Sequence, residues 1–239
     1  MLDQLDLTKV LVLDIETVPQ KKNYEELDEL WKALWEKKMK FQIKENITAQ
    51  DLYDQAGIYS EFGKIICISC GVFTGEKDNK FRVKSYYGDD EKEILNEFSG
   101  LLEKNFSSPD NYLCAHNGKE FDYPYIARRC IINGIRIPAI LDNSGKKPWE
   151  VRNLDTMDMW KFGDYKSYTS LILLAGALGI KSPKDDIDGS QVGKVYWQDK
   201  DTERIAVYCQ KDVVTVAQIL LKFKGMELLN EEEIVYIKD

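Results

Sequence analysis

The sequence contains very little histidine and fewer positive than negative charges. Its 239 residues include one histidine, His116, and 33 lysines and arginines against 41 aspartates and glutamates, a formal net charge of −8. One histidine excludes metal sites that need two or more, such as a histidine-rich zinc centre. The acidic balance excludes a protein whose broad positive face coats nucleic acid, although a local positive groove is still compatible with it. Any chemistry must therefore depend mainly on carboxylates.

Paired cysteines and long apolar runs are also missing. The five cysteines are an odd number scattered through apolar stretches, which is typical of reduced core thiols in a cytosolic protein. Cys67 and Cys70 have the spacing of half a zinc site, but no second pair accompanies them. No stretch approaches the roughly 20 apolar residues of a membrane span, and the N-terminus lacks the pattern of a signal peptide. We expect a cytoplasmic protein with no membrane partner.

The first third of the chain predicts an antiparallel group of strands interrupted by helical sequence. Residues 9–15 form a continuous apolar run of the kind that makes a strand buried on both faces. Residues 20–62 are rich in Glu, Lys, Gln, Trp and Tyr, and we interpret them as a helical insertion. Two further strands, 64–74 and 80–87, are separated by turn residues and predict a hairpin.

The rest of the chain alternates between helices and strands, which predicts parallel pairing through βαβ connections. The predicted elements are a helix over 90–105, a strand over 112–116, a helix over 121–134, a strand near 150–156, a short helix over 167–180 and a long helix over 200–224. No repeat, low-complexity tract or linker divides the sequence. We therefore expect one α/β domain over residues 1–239.

Two acidic residues stand where the first buried strand ends. Side chains alternate along a strand, so Asp14 and Glu16 project from the same face, at the carboxyl end where open α/β sheets build their sites. Two such acids repel each other unless a cation lies between them. The alternative is that they are surface acids at the beginning of a loop.

A further acid interrupts the apolar stripe of the C-terminal helix. The stripe recurs at spacings of three and four residues and consists of Ile205, Tyr208, Asp212, Val216, Ile219 and Phe223. An isolated carboxylate is costly to bury, so Asp212 needs a cation, hydrogen-bond donors or a water-filled cleft. A nearby lysine or arginine would also explain it. Tyr208, one turn away, places a phenol beside this carboxylate.

A fourth acid follows the strand at 112–116. Asn117 and Gly118 form a turn, and Asp122 occupies the first turn of the next helix, where it could simply favour the helix dipole. Together with Asp14, Glu16 and Asp212 it completes a set of carboxylates without nearby imidazole ligands. Hard oxygen ligands of this kind select Mg²⁺ or Mn²⁺ over zinc.

These residues resemble the three exonuclease motifs of the DEDD superfamily of 3′-5′ exonucleases. The motifs are Asp14-Ile-Glu-Thr17, Asn117-Gly-Lys-Glu-Phe-Asp122 followed by Tyr-Pro-Tyr-Ile, and Tyr208-Cys-Gln-Lys-Asp212, in that order. The tyrosine four residues before the last aspartate resembles the pattern of the DEDDy branch. The DEDDh branch has a histidine shortly before that aspartate, and this sequence has none there. The pattern looks closest to the proofreading domain of family B DNA polymerases.

The resemblance implies a DnaQ-like, RNase H-like fold. This is a three-layer α/β fold in which a five-stranded mixed sheet is flanked by helices, here with a helical insertion after the first strand. No polymerase domain follows in this sequence, so the resemblance implies a stand-alone nuclease. It is expected to hydrolyse phosphodiester bonds from the 3′ end of nucleic acid, single-stranded DNA rather than RNA, in a DNA-repair context.

The resemblance also implies a two-metal-ion mechanism with Mg²⁺ or Mn²⁺. We expect Asp14 to bridge two ions, Glu16 and Asp212 to complete the ion that carries the attacking water, and Asp122 to support the second ion. Tyr208 is expected to be neutral and to orient the water through a hydrogen bond.

Substrate contacts are predicted around the acids. Thr17 and Asn117 are expected to hold the terminal nucleotide, Phe121 to stack on a base or pack in the core, and Lys211 to reach the scissile phosphate. The best candidates for a surface that tracks the phosphates are Arg128, Arg129, Lys146, Lys147 and Arg152.

Two other functions are compatible with the sequence. One is an RNase D-like exoribonuclease, because the motifs do not show how the site treats a 2′-hydroxyl group. The other is a non-catalytic interaction module on the same fold, which could use a helix containing Trp31 and Trp35 as its docking face.

Overall fold

The residues that the structure describes form a six-stranded sheet. The computed structural model describes residues 2–75, 80–164, 168–181 and 187–237. The strand order is β5-β4-β1-β2-β3-β6. The strands are β1 (Val10–Pro19), β2 (Gly63–Phe73), β3 (Phe81–Tyr87), β4 (Tyr112–Ala115), β5 (Leu154–Asp155) and β6 (Ile234–Tyr236).

The pairing confirms the predicted mixed sheet but not the number of strands. Strands β1, β2 and β3 pair antiparallel, as predicted, and β4 and β5 extend the sheet in parallel from β1. The sixth strand, β6, pairs in parallel with β3 at the opposite edge. The prediction of five strands missed it because three residues after a run of glutamates carry too little periodic signal.

Strand β1 is longer than the predicted run of 9–15. It continues to Pro19, so Asp14 and Glu16 lie inside the strand and not at its end. Thr17 and Val18 keep pairing with β2 beyond a bulge at which the register shifts. The acids are therefore fixed by strand hydrogen bonds on both sides of their positions.

Helices cover both faces of the sheet and make three layers. They are α1 (Glu29–Met39), α2 (Glu91–Asn105), α3 (Asp122–Ile132), α4 (Thr156–Trp160), α5 (Leu171–Ala177), α6 (Val192–Lys194) and α7 (Thr202–Phe223). Leu11 and Leu13 pack with α2 and α3 on one face, whereas Val10 and Val12 pack with α7 on the other. No helix in these described ranges combines the length and apolar character needed to cross a membrane.

The insertion at 20–62 is less helical than predicted. Besides α1 it contains short 3₁₀ turns, and it has its own small core around Trp35, which is fully buried and donates its indole N–H to the Ala49 carbonyl oxygen at 2.8 Å. Trp31 also packs against this core. The idea that these two tryptophans form a docking face is therefore wrong for Trp35.

A buried ion pair connects the insertion to the main domain. Arg129 of α3 donates to both carboxylate oxygens of Glu91 at the beginning of α2, and also donates to the Ser60 carbonyl oxygen at 2.9 Å. Glu91 in turn accepts the Ile65 amide of β2 at 2.7 Å. Arg129 is only 4% exposed. Its prediction as a phosphate-tracking residue is wrong, because the guanidinium is used inside the fold.

Replacing Arg129 by methionine is expected to lower the free energy of unfolding by about 3–5 kcal/mol, because Glu91 would stay buried without its partner charge. Urea denaturation measures the loss. Arg128→Met, at the exposed neighbouring position, is the matched control and should change stability by no more than about 0.5 kcal/mol. Equal losses in the two variants would contradict the role assigned to the buried pair.

Candidate active site

The five residues predicted to be catalytic come from three elements. Asp14 and Glu16 lie on the face of β1 that is covered by α7, Asp122 is the first residue of α3, and Tyr208 and Asp212 lie one turn apart on α7. The charges of Asp212 and Asp122 act on both Asp14 and Glu16. The structure thus gathers the four carboxylates in one place, although the first and the last of them, Asp14 and Asp212, are more than 190 residues apart in sequence.

Burial and mutual repulsion dominate the electrostatics of this place. Burial raises the pKa of Asp14 well above its ordinary value, and the charges of Glu16, Asp212 and Asp122 raise it further. The pKa of Glu16 is raised in the same way, first by burial and then by Asp212. Each acid therefore makes its neighbours harder to ionise, which a bound cation would reverse.

Asp122 is more than a favourable charge at a helix N-terminus. It is 3% exposed, and burial raises its pKa to about 7, against the effect of hydrogen bonds from its own amide and the Ile15 amide. Its Oδ1 atom is buried and has no hydrogen-bond partner in the described part of the chain. The side-chain oxygen of Asn117 is in the same condition. Two buried oxygens without donors suit a cation.

Asp155 holds the loop that leads to Asp122, and the sequence-based prediction missed it. Its Oδ1 accepts the backbone amide of Asn117 at 2.9 Å and that of Met157 at 3.0 Å, and its Oδ2 accepts the amide of Lys119 at 3.0 Å. It is also the N-cap of α4. An aspartate between an apolar residue and a helix is a capping signal that could have identified it.

Tyr208 is a neutral phenol within the site. Its side chain hydrogen bonds to Asp212, and burial followed by the charges of Asp212, Glu16 and Asp14 raises its pKa far above the ordinary range. The hydroxyl proton therefore stays on the oxygen at all physiological pH values. Such a group can donate a hydrogen bond or orient a neighbouring molecule, but it cannot act as a base.

Cys209 is a second residue that the sequence-based prediction missed. Its thiol lies 3.3 Å from Asp14 Oδ2 and 3.4 Å from the Asp14 carbonyl oxygen, and it donates to them. One potential ligand atom from each of Asp14, Glu16 and Cys209 lies within 4.8 Å of the others. Cys209 occupies the buried side of α7, so only its place next to Tyr208 in the helix could have indicated it.

The predicted substrate residues surround the acids unevenly. Thr17 hydrogen bonds to the hydroxyl of Tyr125, and Phe121 packs tilted against the Tyr125 ring at 5.3 Å, so Phe121 contributes to the core while it stays partly exposed. Asn117 has a positive φ of 66°. The Lys211 charge also acts on Tyr236 of β6, where it opposes the rise in pKa that burial causes.

The single histidine has a structural role. His116 Nε2 donates to the Thr169 carbonyl oxygen at 2.8 Å, which makes Nδ1 the acceptor of the Thr156 hydroxyl at 2.9 Å. Burial lowers its pKa, so the ring is neutral. It joins the end of β4 to the beginning of α4 and to the residues that precede α5.

Four of the predicted basic residues are exposed. Arg128 and Lys146 line a groove of about 610 Å³ that begins at Asn117 and runs between α3 and the following loop. Lys147 lies 5.2 Å above the Trp149 ring, and Arg152 donates to the Tyr112 hydroxyl. Their exposure is compatible with contacts to a phosphate backbone.

The donor set fits a hard divalent cation. Four carboxylates and the free amide oxygen of Asn117 supply oxygen atoms, and the only imidazole of the sequence is engaged elsewhere. Such oxygen-rich sets suit Mg²⁺ and Mn²⁺. The five cysteines are free and buried, and Cys67 and Cys70 lie in the sheet as predicted for core thiols.

The fold has a counterpart among solved structures. A family B DNA polymerase from the hyperthermophilic archaeon Pyrobaculum calidifontis is similar over 90% of this chain, with a TM-score of 0.51 and 18% sequence identity. The chain covers 24% of the length of that polymerase. At this level of identity the likeness shows the fold, and it confirms the predicted RNase H-like arrangement with one additional strand.

A family model matches residues 58–235, which is more than half of the chain. The match includes Asn117, Asp122, Tyr208 and Asp212, and it begins after Asp14 and Glu16. The family is described as a predicted 3′-5′ exonuclease related to the exonuclease domain of PolB. The chain belongs to this family of PolB-related 3′-5′ exonucleases.

Proposed function

We propose that the protein removes nucleotides from the 3′ end of single-stranded DNA with the help of two divalent cations, Mg²⁺ or Mn²⁺. The observation that carries the proposal is the gathering of Asp14, Glu16, Asp122 and Asp212 in one site, where the charges of Asp212 and Asp122 raise the pKa of both Asp14 and Glu16. A protein without metal chemistry would bear this repulsion for no benefit.

The chain offers enough oxygen atoms for two cations. The charges of all three other acids raise the pKa of Asp14. Asp14 is therefore the residue that the two ions would share. Glu16 and Asp212 would complete one ion, and Asp122 would support the other. When bound, two such ions lower the pKa of a water molecule and offset charge on the attacking and leaving oxygens.

The remaining side chains position the substrate and the water. The neutral phenol of Tyr208 is hydrogen bonded to Asp212, which supports the proposal that it orients the attacking water. Thr17, Asn117 and Phe121 are the proposed contacts of the terminal nucleotide, and Lys211 is the proposed contact of its phosphate. The products would be nucleoside 5′-monophosphates.

Incubation with end-labelled oligonucleotides tests the proposal. Single-stranded DNA should shorten from its 3′ end with Mn²⁺ or Mg²⁺ and not with a chelator, and Asp14→Ala should abolish the reaction because the shared ligand is lost. RNA of the same sequence and a 5′-labelled duplex are run in parallel. Asp54→Ala, an exposed acid in the insertion, is the matched control and should keep full activity.

The outcomes separate the candidate functions. Shortening of RNA but not of DNA would favour the exoribonuclease. If neither substrate shortens with any metal, the catalytic proposal fails and a non-catalytic module takes its place.

Tyr208→Phe is expected to reduce kcat by about 10²-fold, the lower end of what a positioned proton-handling group contributes, with little change in KM. The reason is that the ring would still pack while the hydroxyl that orients water is lost. Single-turnover kinetics with excess enzyme measures the chemical step. Full activity in Tyr208→Phe together with loss of activity in Asp212→Ala would show that the tyrosine does not position the water.

Without metal, the protein should lose stability as the pH rises. The pKa of Asp122 is raised to about 7 in the folded chain, so the folded state binds a proton that the unfolded state has already released. The free energy of unfolding should therefore decrease between about pH 4 and pH 7, by several kcal/mol. Urea denaturation in a chelating buffer at a series of pH values measures the slope.

Two comparisons make this measurement specific. Asp122→Asn should reduce the slope because the buried amide does not titrate, while Asp14 and Glu16, whose pKa values are also raised, keep the rest of it. Saturating Mn²⁺ should flatten the slope. Asp54→Asn should leave it unchanged. A slope that is the same in Asp122→Asn and in the unaltered protein would contradict the assignment.

A further inference from the structure

Two lysines lie against two aromatic rings beside the acidic site. We call Lys64, Tyr196, Trp197 and Lys200 the lysine–aromatic cluster. Tyr196 and Trp197 belong to a single π-helical turn, Val195–Asp199, and Lys200 follows it with a positive φ of 57°. Turns of this kind are frequent at functional sites, and a lysine in the left-handed region is uncommon. The local backbone therefore adopts unusual geometry to place these side chains.

The ammonium groups are in close contact with the rings. Lys64 Nζ donates to the Tyr196 hydroxyl at 2.7 Å and lies 5.3 Å from the centre of the Trp197 ring. Lys200 Nζ lies 5.0 Å from the Trp197 ring and 5.7 Å from the Tyr196 ring. Burial lowers the pKa of Lys64, the charges of Asp89 and Glu91 act against this, and the charge of Lys200 lowers the pKa further. Two like charges thus share one aromatic surface.

The cluster has more donors than acceptors. The indole N–H of Trp197 is buried and has no partner among the described residues. None of the ion pairs formed by those residues involves Lys64 or Lys200. The exposed carboxylate of Asp89 accepts the Tyr196 hydroxyl at 2.7 Å. Of the two carboxylates whose charges act on Lys64, Asp89 accepts the Tyr196 hydroxyl and Glu91 is paired with Arg129, so an anion would be well placed beside the two ammonium groups.

The cluster lies next to the four carboxylates. Lys64 of β2 pairs with Val18 of β1, two residues beyond Glu16. Trp197 and Tyr208 pack against the same group of buried residues, which includes Val18. A nucleic-acid strand whose cleaved phosphate lies among the acids would therefore have a neighbouring part of its backbone beside the cluster.

We propose that the lysine–aromatic cluster binds a phosphodiester group of the substrate strand, the one neighbouring the cleaved bond. The proposal rests on the nuclease function proposed above. Lysine ammonium groups bind phosphate as point charges, and the Trp197 N–H supplies a directed hydrogen bond to a phosphate oxygen. A phosphate here would also relieve the repulsion between Lys64 and Lys200. Inorganic phosphate has the same chemistry, so the test separates the two sources.

Binding is measured with the full chain in a chelating buffer, so that no hydrolysis is needed. The probe is a fluorescently labelled single-stranded DNA, followed by anisotropy over a range of salt concentrations. Lys200→Ala should weaken binding for all sequences and reduce the slope of log K against log salt by about 0.7, the value for one lost phosphate contact. Trp197→Phe should weaken binding without changing the slope, because it removes a donor but no charge.

Lys104→Ala is the matched control. It removes an exposed lysine from the C-terminal turn of α2 and should change neither affinity nor slope. Thermal unfolding of each variant checks folding. If Trp197→Phe loses stability, the proposal is judged on Lys200→Ala alone, because Lys200 is exposed and its replacement should not affect folding. Calorimetric titration with inorganic phosphate forms the second arm.

The results separate this inference from the nuclease proposal. Equal DNA affinity and slope in Lys200→Ala, Lys104→Ala and the unaltered chain would overturn it, even if DNA is hydrolysed with Mn²⁺. Binding of inorganic phosphate that depends on Lys200, with unchanged DNA binding, would make the cluster a free-phosphate site and would also overturn it. DNA binding that depends on Lys200 would support it even in a chain that hydrolyses nothing.

Discussion

Repulsion among four buried or half-buried carboxylates is the constraint on which the rest of the structure depends. Acids in surroundings of low polarity repel strongly, so they stay together only where each is held by a rigid element. Asp14 and Glu16 belong to a central strand that is paired on both edges, and Asp212 lies within a 22-residue helix. The loop before Asp122 is fixed through its backbone amides. The fold thus holds together carboxylates whose mutual repulsion a bound cation would offset.

Much of the site could be predicted because its signals are local. The alternation of Asp14 and Glu16 along a strand, and the position of Asp212 in an apolar helical stripe, follow from side-chain periodicity alone. What could not be predicted depends on contacts across the fold. Arg129 is buried because Glu91 lies opposite it, 38 residues earlier, whereas its neighbour Arg128 faces solvent.

The edges of the sheet were less predictable than its centre for the same reason. Strand β6 has three residues and exists because β3 offers a free edge for it. The extent of β1 beyond Ile15 depends on pairing with β2 through a bulge, which no pattern within residues 9–19 encodes. Short or irregular strands are defined by their partners, whereas long buried strands and amphipathic helices are defined by their own sequence.

The hydrogen bonds of Asp155 have a consequence for how the site can diversify. They reach the main chain at Asn117 and Lys119, so these bonds do not depend on the side chains at those two positions, whereas Gly118 between them has no room for a Cβ atom. Lys119 and Glu120 face the groove beside the site and take no part in those bonds through their side chains. Their exchange can therefore retune which polymers enter, by evolution or by engineering, while the acidic centre keeps its geometry.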